Sequence, residues 1–348
     1  MTEYREFYRV SGLPVFQNRM YPSRDEARAC ARGDMVLAEN LGTGLVSNLA
    51  FRPELMEYDS NYQNEQGNSP LFRRHLESVA DLVETHMGRE GLVEVGCGKG
   101  LFLDLLSARG ADIRGYDPTY EGDDPRIVRE YFSKALGITG RGLILRHVLE
   151  HIQDPVAFLQ ELKEANGGGM IYIEVPCFDW ICTKRAWFDI FYEHVNYFRL
   201  SDFFRIFGTV YEARRTFGGQ YLSIVADLST IRVPVRDPAD AAAFPDDFTA
   251  KLQPRDVVNA VVWGGASKGV IFSLMMERAG VIVQQVVDIN PAKQGHFLPA
   301  TGIQVKSPQQ ALAQLPDGAT IFVMNSNYLP EIREMSGHRF NYVGIDDE

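Results

Sequence analysis

Apolar and polar positions change rhythm several times along this chain. The first ~70 residues have weak periodicity and frequent turn residues, and end in the polar, tyrosine-rich stretch Tyr58 to Pro70, which reads as loop. Ser69-Pro70 has the form of an N-cap followed by proline at the first helical position. Leu71, Leu76, Val79, Ala80 and Val83 then recur at helical spacing up to Gly88. An apolar run from Gly91 to Gly96, a glycine turn, a second apolar run from Leu101 to Leu106 and the segment Asp112 to Asp117 predict strand, turn, helix, strand. Further strands are predicted at Gly142 to Leu145, Met170 to Val175 and Tyr221 to Asp227, with helices at Pro155 to Ala165 and Ser201 to Phe207. After a proline-punctuated stretch the plan recurs: strand Val258 to Trp263, glycine turn Gly264 to Gly269, helix Val270 to Ala279, strand Val281 to Asp288, and another strand at Ile321 to Asn325.

This alternation predicts an α/β protein with two Rossmann-like, parallel-stranded units. The expected division is a short irregular N-terminal segment (1–68), a first α/β unit (69–228), a linker or connecting helix containing Pro234, Pro238, Pro245 and Pro254 (229–257), and a second unit (258–348). A chain of 348 residues with 45% apolar and 23% charged residues can bury a sizeable core and has the profile of a soluble globular protein. Its net charge of −11 disfavours a nucleic-acid partner. Cys30, Cys97, Cys177 and Cys182 include no C-x-x-C pair, which fits a reducing cytoplasm. Neither a secretory h-region nor a run of ~18 apolar residues is present, so no membrane association is expected.

The first glycine turn carries the clearest chemistry. Gly96, Gly98 and Gly100 alternate, unlike a dinucleotide fingerprint, and Glu94 stands two positions ahead. A carboxylate there would repel a pyrophosphate but can meet an ammonium or hydroxyls, while Asp117 at the end of the next strand is placed to accept ribose hydroxyls. The set resembles an S-adenosylmethionine (SAM) pocket. The bland alternative is a turn kept for helix–strand packing and an aspartate capping the turn at Pro118.

Over nearly its whole length the chain resembles SAM-dependent class I methyltransferases of the sugar C-methyltransferase group. The resemblance rests on Val93 to Gly100, Tyr116-Asp117-Pro118, Arg146 to Pro155, Ile173 to Pro176, Tyr192 to Phe198, Trp263 to Gly269 and Asp288 to Gly295. It implies SAM as cofactor, a small-molecule acceptor such as a nucleotide-sugar, and Arg146 on the cofactor side with Glu94, the three glycines and Asp117. It also implies a degenerate zinc module. The family's four N-terminal cysteine positions fall here on Tyr8, Ser11, Asn40 and Thr43, which supply no thiolate, so no metal is expected.

For a carbon acceptor the reaction needs a base beside a keto group. Glu193 and His194 are the candidates, with Tyr192 beside them; neighbours on an extended segment face opposite ways, so one serves as base and the other as its support, or they serve separate partners. In the family the histidine is the base, and its ordinary pKa near neutrality suits the role. His147, Tyr62 and Tyr197 are expected at the acceptor. Lys268, in the second glycine turn, is expected at a diphosphate, against an even alternative in which that domain is purely structural. The His147/His151 pair lacks a third metal ligand at convincing spacing, and His151 reads as structural or pocket-lining. Methylation of oxygen or nitrogen, and a non-catalytic SAM-binding role, remain as alternatives.

Overall fold

The computed structural model describes residues 3–56, 67–250 and 259–347. Strand β1 (Tyr4–Pro14), helix α1 (Arg24–Arg28), β2 (Arg32–Asn40) and β3 (Val46–Asn48) come first, then α2 (Pro70–Met87), β4 (Leu92–Val95), α3 (Leu101–Ala108), β5 (Ile113–Tyr116) and β6 (Ile127–Val128). They are followed by β7 (Gly142–Arg146), α4 (Pro155–Asn166), β8 (Met170–Pro176), α5 (Phe178–Lys184), β9 (Asn196–Tyr197), α6 (Leu200–Ile206), β10 (Val210–Thr216) and β11 (Tyr221–Asp227). The last unit holds β12 (Asn259–Trp263), α7 (Ser267–Arg278), β13 (Ile282–Val287), β14 (Val305–Lys306), α8 (Pro308–Leu312), β15 (Thr320–Val323), α9 (Leu329–Met335) and β16 (Asn341–Gly344).

Two of the three sheets are Rossmann-like. The seven-stranded sheet has the order β10-β11-β8-β7-β4-β5-β6, with β4 to β8 parallel and β11 and β10 added antiparallel at one edge. Its central strands are apolar almost throughout because helices cover both faces. Helix α2 starts where Ser69 accepts a hydrogen bond from the Phe72 amide, and it buries Phe72, Leu76, Val79 and Val83 against that sheet. The second, β14-β13-β12-β15-β16, is parallel throughout.

The N-terminal segment corrects the expectation of irregular structure. Residues 4–48 form an antiparallel sheet, β1-β2-β3, whose fourth strand is β9, supplied from residues 196 and 197. Period-two alternation was invisible because β1 shifts register twice, between Glu6 and Tyr8 and between Val10 and Leu13, each irregularity resetting which residues face inward. The four positions matched to zinc cysteines are strung along this ribbon rather than gathered: Tyr8 stands opposite Leu37, while Asn40 stands opposite Tyr4. Asn40 instead holds its own turn, its side-chain oxygen accepting from Gly42 and Thr43 amides. Tyr8 packs against Phe244 and Phe248, and Phe244 in turn stacks on Phe7 and Phe178, making one cluster of rings. The stretch 229–250 therefore docks on β1, and among its described residues it contains short 3-10 turns and no α-helix.

Candidate active site

The glycine turn between β4 and α3 is held open by hydrogen bonds at its ends. The Gly96 amide donates to Tyr116 O and the Gly98 amide to Asp117 Oδ2 at 2.8 Å. All three glycines have positive φ, and a Cβ on Gly96 would lie 2.4 Å from Val148 Cγ2, so the turn touches the segment after β7. A Cβ on Gly98 would meet nothing within 4 Å, which leaves that side of the turn clear for a ligand. Glu94 lies beneath, buried, with Oε2 lacking a hydrogen-bond partner. Burial pushes its carboxyl up to about 8, against the pull of Arg146. A buried carboxyl with one oxygen unpaired beside an open glycine turn fits the positively charged amino-acid end of SAM, and Asp117 fits its ribose. Asp117 is also engaged within the protein: its Oδ1 accepts from the Thr119 amide and hydroxyl, so the turn-capping role is realised too.

One strand over lies a dense set of charges. Glu174, buried at the end of β8, accepts from Arg146 Nη2 at 2.9 Å and Tyr172 OH at 3.1 Å, pairs with His75 Nε2 at 2.9 Å, and faces His147 Nε2 at 3.2 Å. Burial alone would raise its carboxyl, but Arg146, His147 and His75 hold it well below the usual range. His147, at φ 53°, has Nδ1 3.4 Å from Glu150 Oε1. Burial opposes its charge, yet Glu150 and Glu174 lift it to about 9. Glu150 is buried with neither oxygen in a hydrogen bond, and its Oε1 lies 4.0 Å from His194 Nε2. His194 packs against Phe191 and edge-on to His151, and burial together with His151, His147 and Lys268 holds it well below its ordinary value. It is therefore an unprotonated imidazole at neutral pH. His151 Nδ1 pairs with Glu193 O at 2.9 Å. Ligand atoms of Glu150, His151 and His194 come within 4.8 Å of one another, a trio that could hold a divalent ion and that sequence spacing did not expose.

Other expected site residues are placed differently. Tyr192 has its hydroxyl on the Arg52 amide at 2.8 Å and its ring against Gly33, where a Cβ would lie 2.2 Å from it; it ties the N-terminal sheet in place. The Tyr197 hydroxyl accepts from Phe191 N and donates to Phe191 O, which spends both on the backbone turn that presents His194. Glu193 accepts from the Gln17 amide, so its carboxylate reaches toward the N-terminal segment. Arg146 lies between Glu174 and the Phe102 ring, 4.7 Å from its centroid. Lys268, expected at a diphosphate, is engaged within the protein. Its Nζ pairs with Asp189 at 3.1 Å and Gln220 at 3.0 Å and lies over Trp180, tying α7 to the first unit. Tyr62 lies outside the described residues. Glu150 and Glu174 are the residues to which the sequence reading gave no role; the signal was a carboxylate near the C-terminal end of each of two buried strands, Glu174 in the last residues of β8 and Glu150 shortly after β7, where α/β sheets bind ligands.

Comparison with family models shows a SAM-dependent methyltransferase. Residues 68–209 match the methyltransferase domain model and residues 240–340 the C-methyltransferase C-terminal domain model, so the chain belongs to the methyltransferases that carry this second domain, and SAM is its cofactor. It is 24% identical over 325 residues to C-methyltransferase NovU of Streptomyces niveus, covering 78% of this chain and 76% of that protein. Among solved structures, the SAH-bound magnesium protoporphyrin IX methyltransferase of Synechocystis PCC 6803 is 15% identical, covering 49% of this chain and 90% of that one, with a TM-score of 0.37. The 1,6-didemethyltoxoflavin N1-methyltransferase of Burkholderia thailandensis is 13% identical, covering 53% and 95%, with a TM-score of 0.35. Among the described residues no helix is long and apolar enough to cross a membrane.

Proposed function

We propose that the protein methylates a carbon beside the keto group of a small molecule, a nucleotide-linked sugar, with His194 as the base. The observation that carries this is a buried, unprotonated imidazole facing a buried carboxylate, on a segment joined to the glycine turn through Val148. When bound, SAM supplies a methyl group on a sulfonium. Glu94, Gly96, Gly98, Gly100 and Asp117 hold it. His194 takes the proton from the acceptor carbon while the C–H electron pair passes into the enolate. The C-methyltransferase C-terminal domain and the likeness to NovU support carbon over oxygen or nitrogen, and the sequence resemblance supports the nucleotide-sugar.

Solvent-deuterium exchange tests it. With a panel of nucleoside-diphosphate keto-sugars and the demethylated cofactor, the parent enzyme should wash deuterium into the carbon beside the ketone, and His194→Asn should not. His194→Asn should lower kcat by about 10²–10⁴ with SAM affinity unchanged. Equal exchange by both proteins rejects His194, and a methyl group found on oxygen or nitrogen rejects carbon transfer.

A further inference from the structure

One buried carboxyl beside His194 has no part in the proton transfer described above. Glu150 is 1% exposed, and neither of its oxygens has a hydrogen-bond partner. Burying a carboxyl in that state is costly unless opposite charge stands near it. Two imidazoles face the same oxygen, Oε1: His147 Nδ1 at 3.4 Å and His194 Nε2 at 4.0 Å. Its main chain is fixed from the other side, since the Val195 amide donates to Glu150 O at 2.8 Å, directly after His194 in sequence. The backbone of Glu150 and the segment carrying His194 are thus held as one piece. Glu193, the adjacent carboxylate, is drawn to Gln17.

We propose that Glu150 is the positioning residue of His194, accepting from Nε2 so that Nδ1 is the nitrogen that takes the substrate proton, and carrying the counter-charge when the imidazolium forms. The inference rests on His194 acting as base. The balance is simple: one proton moves from acceptor carbon to Nδ1, the C–H pair stays with the enolate, and Glu150 changes neither charge nor bonds. His147 completes the arrangement. It stands between Glu150 and Glu174, 3.4 Å from the one and 3.2 Å from the other, and so sets a second imidazole against the Glu150 oxygen that faces His194. The groups that bear on His194 are Glu150, His151 and His147 from the β7–α4 connection, Lys268 from α7, and Phe191 and Tyr197 from its own segment.

The test compares Glu150→Gln and Glu150→Asp in the full-length protein by two readouts. In ¹⁵N-histidine NMR, the titration midpoint of His194 should fall by about one pH unit or more in Glu150→Gln and stay near the parent value in Glu150→Asp. In the exchange assay, Glu150→Gln should slow deuterium incorporation at least 10-fold at neutral pH and move the acid limb of the rate profile to lower pH, with the KM of the keto-sugar unchanged. Glu150→Asp should recover part of the rate. A fall in rate with neither a moved limb nor a moved midpoint would mean that Glu150 only supports the fold and would overturn the proposal. So would one equivalent of Zn²⁺ binding tightly to the parent, shifting the His151 and His194 lines together and failing to do so in Glu150→Gln, which would make the trio a metal site. If the parent itself exchanges no deuterium while the His194 midpoint still responds to Glu150→Gln, carbon methylation fails and the Glu150–His194 pairing stands.

Discussion

The two glycine turns of this protein use one device for different ends. After β5, Asp117 accepts from the Gly98 amide at 2.8 Å; after β13, Asp288 accepts from the Gly265 amide, also at 2.8 Å. An aspartate at the end of the second strand, hydrogen-bonded to the turn after the first, is thus a fastening common to both units and does not by itself mark a ligand site. What separates them is the space above and the charge below. The first turn leaves room at Gly98 and sits over a buried carboxyl, Glu94, whose Oε2 has no hydrogen-bond partner. The second is folded on itself: a Cβ on Gly269 would stand 1.7 Å from Gly264 O, and the turn's lysine reaches across to Asp189. Neutral groups, Ser273 Oγ and Asn290 Nδ2, are what stays unpaired among the described buried side chains of that second unit.

Substitutions should separate the turns. Gly269→Ala meets a backbone carbonyl and cannot be relieved by rotating a side chain, so it should cost more than roughly 4 kcal/mol or prevent folding, as denaturant unfolding would reveal. A fully stable Gly269→Ala protein would mean that the second turn is looser than described.

Glu94→Gln should act oppositely on the apo protein and on cofactor binding. The folded carboxyl titrates near 8, above its unfolded value, so ionisation opposes folding as pH rises from the unfolded value through about 8. Below about pH 4.5 both states are protonated and the variant should match the parent. By pH 7 it should be more stable by roughly 3 kcal/mol, while binding SAM more weakly. Thermal unfolding from pH 4.5 to 9 gives the answer; a gap that does not widen with pH would break the account of Glu94.

Lys268→Met removes the ammonium that faces buried Asp189 across the two units, for about 2 kcal/mol of lost stability. Adding Asp189→Asn should recover part of it, read as a double-mutant cycle. Gly98→Ala is the mildest: its φ of 55° costs about 1 kcal/mol, but the methyl group enters the open side, so calorimetry should show SAM affinity falling more than stability does.

Much of this was legible because α/β units announce themselves locally. Ser69-Pro70 opens α2, and in both units strand, glycine turn, helix and strand follow in order, each set by a short stretch of sequence. Elements that failed were those whose pattern is set by partners elsewhere. Strand β1 is irregular against β2, and β10, Val210–Thr216, is a charged edge strand with little apolar alternation. In the site, His194 could be named from its neighbours in sequence, whereas Glu150 becomes distinctive only when β7, β8 and the segment before β9 converge. Tyr192 and Tyr197 looked chemical by type, yet their hydroxyls are consumed by main-chain groups of Arg52 and Phe191.

The cluster of five rings that includes Tyr8 gives the N-terminal sheet a particular response to its surroundings. A module pinned by thiolates and a metal is released by a chelator or an oxidant and is indifferent to moderate cold. One pinned by Phe7, Tyr8, Phe178, Phe244 and Phe248 ignores both reagents and loosens instead on chilling, because apolar burial is driven by entropy near room temperature and weakens as water cools. Since β9 of that same sheet begins two residues after His194, chilling should be felt at the His194 imidazole through the sheet.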